Sequence, residues 1–158
     1  MLERYQGKDG RAALLNALRS QFIVDGQSEI ADRLASAAQI REYAPGTALF
    51  NQGERGSDVC FILAGKVSIL VDERDIATCG AGIHVGEIGL LEPFKSRSAT
   101  VLALETTVTA QVSAQQFTEV AKYHPELWRR IAIELARRLV KSQALLCQLG
   151  RTEIPVAA

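Results

Sequence analysis

The sequence predicts an α+β fold: a short helical segment, then an eight-stranded antiparallel β-roll of jelly-roll type, then a long C-terminal helix. Three observations carry that reading. Eight of the twelve glycines (Gly46, Gly53, Gly56, Gly65, Gly80, Gly82, Gly86 and Gly89) fall between positions 46 and 89. Among them lie short runs rich in β-branched and aromatic residues, ALFNQ, DVCFILA, KVSILV and DIATC, and short strands separated by frequent turn residues build a roll or barrel. Finally, no glycine or proline interrupts the stretch from Glu126 to Leu149, and Gly150 is a natural stop.

Each element has its own local reason. RAALLNALRS at 11–20 places Ala12, Leu15 and Leu18 at helical spacing. Ser28 reads as the N-cap of a second helix, EIADRLASAA, with Ile30 and Leu34 on one face. Both helices are expected to pack against the roll. AGK at 64–66 reads as a tight hairpin and VDERD at 71–75 as a polar one. RSATVLALE and TTVTAQVS continue the alternation as two further strands. Ser113 or a neighbour starts the helix AQQFTEVAKYH, and Pro125 suits the first turn of the last helix, where its missing N–H is no loss.

That last helix has two apolar stripes. Ile131, Leu135, Arg138, Ser142, Leu145 and Leu149 alternate steps of four and three, the pattern of a coiled-coil seam. Leu127, Ala132, Ala136, Leu139 and Val140 lie on other faces and are expected to pack on the roll. A helix that needs burial on two sides predicts a homodimer.

Composition narrows the function. Lys and Arg (18) balance Asp and Glu (18), so no global field points to nucleic acid or a membrane surface. The polar start MLERYQGKDG does not resemble a signal peptide, and no apolar run approaches membrane-spanning length. Cys60, Cys79 and Cys147 form no CxxC and have no histidine at ligand spacing, which predicts reduced thiols, no metal site and a cytoplasmic protein. His84 and His124 are expected to be structural. No nucleophile–base pair, metal set or P-loop is visible, so no catalytic residue is assigned and no enzyme is expected. The basic residues of the last helices, among them Lys122, Arg129, Arg130, Arg137 and Lys141, read as a solvated face.

The chemistry concentrates in Val85–Val101, VGEIGLLEPFKSRSATV. Gly86 and Glu87 open a GEIGLL run able to turn off a strand into a short helix. Arg97 and Ser98 follow ten residues after Glu87. A carboxylate accepts hydroxyl protons, and a guanidinium makes a forked, charge-assisted bond to phosphate. Together they suit a sugar carrying a phosphate.

GEIGLL, a short insert and RSATV resemble the phosphate-binding cassette of cyclic-nucleotide-binding domains, the group of bacterial catabolite activators, kinase regulatory subunits and channel sensors. The resemblance extends through GTALFNQGERGSDVCFILAGKVSILV before the cassette and HPELWRRIAIELARRLVKSQALL after it. It implies a lead-in at 1–37, a cyclic-nucleotide-binding domain with its C-helix at 38–149, and a tail or linker at 150–158. It also implies roles. Glu87 would bind the ribose 2′-hydroxyl and Arg97 the cyclic phosphate, joined by the Ser98 hydroxyl and the Ala99 N–H. Gly86, Ile88 and Gly89 would shape the turn and admit the sugar. Arg138, Ser142 and Gln143 would approach the base, partly from the neighbouring subunit. Gln143 departs from the small hydroxyl residue of the activators, and its amide offers both donor and acceptor to a base edge.

The activators' DNA-binding winged helix follows the C-helix, so the eight residues after Gly150 imply no direct DNA binding by this chain. A sensor without an output implies an effector elsewhere. The lead-in GKDGRAALLNALRSQFIV is similar to the sensor halves of bacterial Pycsar antiphage effectors, in which a TIR domain that degrades NAD follows the C-helix and the messenger is cyclic CMP or cyclic UMP. The alternatives are a cyclic AMP-binding, activator-like sensor and a dimerisation module without ligand; an exposed basic last helix would instead favour nucleic acid.

Overall fold

A computed structural model describes residues 1–150; the expected linker at 151–158 lies outside the described residues. A 3-10 turn (Leu2–Tyr5) precedes helices α1 (Gly7–Arg19) and α2 (Ser28–Ala37). The strands are β1 (Gln39–Tyr43), β2 (Ala48–Phe50), β3 (Val59–Ala64), β4 (Lys66–Val71), β5 (Arg74–Gly80), β6 (His84–Val85), β7 (Thr100–Ala103) and β8 (Thr107–Val112). Helix α3 (Glu87–Leu91) lies between β6 and β7, and α4 (Ala114–Tyr123) and α5 (Glu126–Gln148) end the described chain. The strands form two antiparallel sheets, ordered β1-β8-β3-β6 and β2-β7-β4-β5. The expected α+β class and eight-stranded roll are what is found.

β3 reads VCFILA without polar alternation because both of its faces are covered. Val59, Phe61 and Leu63 face a core shared with Leu14, Leu18, Ile30 and Leu34 of the N-terminal helices and with Leu127 and Ile131 of α5. Cys60 and Ile62 face a smaller core with Val67, Val85 and Val101. The lead-in helices therefore pack on the roll as the sequence suggested.

Local chemistry explains several boundaries. Asp72 (φ 49°) and Glu73 (φ 64°) both take the left-handed conformation between β4 and β5, the two-residue hairpin read in VDERD. The Ser113 side chain accepts a hydrogen bond from the Gln116 N–H at 3.2 Å and caps α4.

Three expectations are corrected. AGK at 64–66 is not a hairpin: β3 pairs with β6 and β8, and β4 with β5 and β7, so Gly65 (φ 93°) carries the chain from one sheet to the other. Ser28 is the first residue of α2 and Gln27 its N-cap; the Ser28 hydroxyl accepts from Arg19 instead, at 3.3 Å. In α5 the stripes trade places at the N-terminal end. Ile131, assigned to the seam, is buried in the core beside Leu127, whereas Leu139 and Val140 are exposed rather than packed on the roll. The roll ends before that part of the helix, so Leu139, Val140, Leu145 and Leu149 all remain open to solvent.

Candidate ligand-binding site

Helix α3 starts where β6 ends, and Gly86 makes the corner. Its φ is 89°, and a Cβ there would lie 2.7 Å from the Asp58 carbonyl oxygen and 3.0 Å from Arg97. A Cβ on Gly89 would meet Ser57 at 2.8 Å. The cassette backbone is thus pressed against the loop before β3, and only glycine fits at either point.

This corner, the Ser96–Ala99 segment and α5 enclose a cavity of about 300 Å³. Gly86, Glu87, Ile88, Gly89, Arg97, Ser98, Ala99 and Arg138 line it, so eight of the ten residues singled out in the sequence converge. The other two do not reach it. Ser142 is exposed and Gln143 half-buried, one turn beyond Arg138 on α5. Phe50, Ile69, Val71, Ile76 and Leu135 supply an apolar wall that the sequence did not reveal.

Arg97 is the unusual group. It is only 8% exposed, and burial pulls its pKa down from the ordinary guanidinium value while leaving it a cation. Its side chain donates to two backbone carbonyls, Asp58 O at 2.9 Å and Gly86 O at 3.4 Å. It sits over the Phe50 ring at 4.1 Å, and Nε has no partner among the described residues. Neighbouring carboxylates are turned to other work: Asp58 accepts from Gln111 at 2.7 Å, and Glu54 from the Asn51 side chain at 2.7 Å. Among the described residues Arg97 therefore forms no ion pair. A buried cation left without a counter-ion is costly unless an anion arrives to join it.

Glu87 is 5% exposed and faces the same cavity. Its Oε1 accepts from Arg138 Nη1, an ion pair that ties α5 to the cassette. Arg138 also donates through Nη2 to Glu134 and, at 3.4 Å, to the His84 carbonyl oxygen. Burial lowers the Arg138 pKa, but Glu87 and Glu134 outweigh it and raise the group above its ordinary value. Burial pushes the Glu134 carboxyl up. The site thus offers an unpaired cation on one side and a carboxylate on the other, with an apolar wall between β4, β5 and α5.

Residues 40–124 match the profile of the cyclic nucleotide-binding domain family. The chain belongs to that family. Among solved structures, the Thermus thermophilus catabolite activator protein is similar over 77% of this chain and 59% of its own, with TM-score 0.69 and 30% identity. Among curated relatives, the Pycsar effector protein XpPycTIR of Xanthomonas perforans is 40% identical over 146 residues, which cover 92% of this chain and 48% of that protein. PaPycTIR of Pseudomonas aeruginosa is 38% identical over 139 residues, covering 88% and 45%. The chain spans about half the length of these two proteins.

For a cyclic nucleotide-binding domain, the residues that sequence reasoning missed fall into two groups. Gly56 left a signal in its glycine-rich loop, and a Cβ there would meet the Arg97 guanidinium at 3.2 Å. Phe50 and Glu134 left none, because they meet the site only through contacts between distant segments.

Proposed function

We propose that this chain is a cytoplasmic sensor that binds a 3′,5′-cyclic nucleotide between the cassette and α5 and passes the signal along that helix. The observation that carries the reading is the buried, unpaired Arg97 facing the cavity. An exocyclic phosphate oxygen of the ligand supplies the missing anion, and Ser98 and the Ala99 N–H join it. A ribose hydroxyl donates to Glu87. The base lies toward the apolar wall, with Ser142 and Gln143 available from α5 or from a partner's copy of it.

Because Glu87 is held by Arg138, the ligand and α5 meet at one carboxylate. A ligand that bonds better when cassette and helix are close favours that arrangement by its differential affinity. The exposed Leu145 and Leu149 of the seam fit a homodimer through α5. Similarity to the Pycsar effectors, together with coverage of about half their length, supports an effector of the TIR type beyond this chain, acting in antiphage defence. The messenger in that reading is cyclic CMP or cyclic UMP, and the chain itself is no enzyme. Similarity to the catabolite activator favours a second reading, a cyclic AMP sensor.

Calorimetric titration with cyclic AMP, GMP, CMP and UMP tests the proposal. Preference for a pyrimidine supports the antiphage sensor, and preference for cyclic AMP supports the second reading. If the chain binds none of the four, the proposal is wrong and the dimer is the function to pursue.

A further inference from the structure

Glu134 and His84 do not line the cavity, yet they control the residue that closes it. The Arg138 side chain is itself more than a third exposed, and a guanidinium with one contact there has many competing rotamers. Glu134 stands one turn earlier on the same face, and its Oε1 accepts from Arg138 Nη2. Its other oxygen, Oε2, lies 3.3 Å from His84 Nδ1. His84 is 1% exposed, fixed in β6 immediately before the cassette, with its ring centroid 6.1 Å from that of Phe61. Burial, reinforced by Arg138, holds the imidazole pKa at about 3. The ring is therefore neutral, and it meets Glu134 as a rigid contact: Nδ1 and Oε2 are close but make no hydrogen bond among the described residues.

Charge pairing does not require this second carboxylate, because Glu87 already neutralises Arg138. Burying Glu134 carries a desolvation cost that Arg138 only partly offsets. What it supplies is direction: a carboxylate backed by a rigid, buried imidazole sets the guanidinium, and the guanidinium meets Glu87 Oε1. Glu87 Oε2 accepts no hydrogen bond among the described residues.

We propose that Glu134 and His84 are positioning residues of the nucleotide site, aiming Arg138 at Glu87 Oε1 so that Oε2 is presented to the ligand's hydroxyl. The proposal rests on the binding reading given above.

A double-mutant cycle tests it, using whichever of cyclic AMP, GMP, CMP or UMP the parent chain binds best. Glu134→Gln, nearly isosteric, should weaken affinity roughly tenfold in the parent and have little effect in an Arg138→Met background. His84→Ala, which removes the ring that backs Glu134, should weaken affinity in the same direction as Glu134→Gln, and the Arg138→Met background should abolish that effect as well. The ligand-free chain gives an independent reading by nitrogen-15 NMR of the arginine side chains. A slowly exchanging Arg138 guanidinium signal is expected, and it should be lost in Glu134→Gln. Unchanged affinity in Glu134→Gln, or a loss of equal size in the Arg138→Met background, overturns the proposal. If the parent binds none of the four nucleotides, the binding reading falls, and the Arg138 signal alone decides whether Glu134 orients it: retention of the signal in Glu134→Gln then overturns the inference.

Discussion

The Arg97 guanidinium sits over the ring of Phe50 at 4.1 Å and is held from the edge by two backbone carbonyls, so its charge has a platform but no counter-ion. A platform of this kind fixes the fork of the guanidinium without consuming its charge. Arg97→Ala should therefore leave the fold intact and lower nucleotide affinity roughly a hundredfold or more by calorimetry, since two charge-assisted bonds to phosphate disappear. Arg97→Lys keeps the charge and loses the fork, and should fall between.

Phe50→Leu tests the platform itself. The variant keeps an apolar wall but removes the ring face, and the loss of a cation–π contact of about 1 kcal/mol corresponds to roughly fivefold weaker binding. Affinity equal to that of the parent would mean that the carbonyls alone hold Arg97.

Leu145→Glu combined with Leu149→Glu addresses the assembly. Both residues are at least half exposed in the single chain, so circular dichroism should be unchanged. The proposed dimer should become a monomer in light scattering, because buried like charges would face each other across the seam.

Gly65→Ala should destabilise the chain by about 2 kcal/mol or more in urea unfolding and leave nucleotide specificity unchanged. The backbone there is left-handed, and a Cβ would lie 2.6 Å from the Thr106 carbonyl oxygen and 2.7 Å from Thr107 Cα. Neither backbone position is free to retreat, because Thr107 opens β8 and Thr106 leads directly into it.

Acid should destabilise the fold through His84. Its folded pKa, about 3, lies below the ordinary value of 6.5, so the unfolded chain binds the extra proton. The contribution is fully present above pH 6.5 and is lost progressively as pH falls toward 3. Glu134, whose pKa is raised by burial, acts in the opposite sense, favouring the folded state at low pH and losing that contribution as pH rises through its folded value. Removing the imidazole in His84→Asn should therefore flatten the fall in stability between pH 6.5 and 4, measured by urea midpoints. An unchanged slope would mean that His84 is not held neutral.

How much of this was legible in the sequence depends on the range of the interaction. The Asp72–Glu73 turn and the Ser113 cap follow from bonds within a few residues, and they read correctly. Gly65 announced a turn, but a glycine with positive φ does not say whether the strands it joins pair with each other. That choice is made by β7 and β8, some forty residues later. Ser28 was plausible as a cap until Arg19 claimed its hydroxyl. In the site, Glu87, Arg97 and the glycines stood out because one short segment carries them together. Arg138 entered only through the family resemblance, and Phe50 and Glu134 not at all, since each meets the cassette from a segment distant in sequence.

Leu127 and Ile131 anchor the first turns of α5 in the main core, while everything from Leu139 onward stands clear of the roll. Arg138 lies at the boundary. The helix is thus a lever with a clamped short arm, and its fulcrum coincides with the ligand cavity. The free arm from Arg138 to Gln148 is about 15 Å long at 1.5 Å per residue, so a tilt of about 10° at the cavity would carry its tip roughly 2.6 Å. In a dimer the two free arms lie together, and that displacement is delivered where the two chains leave the domain.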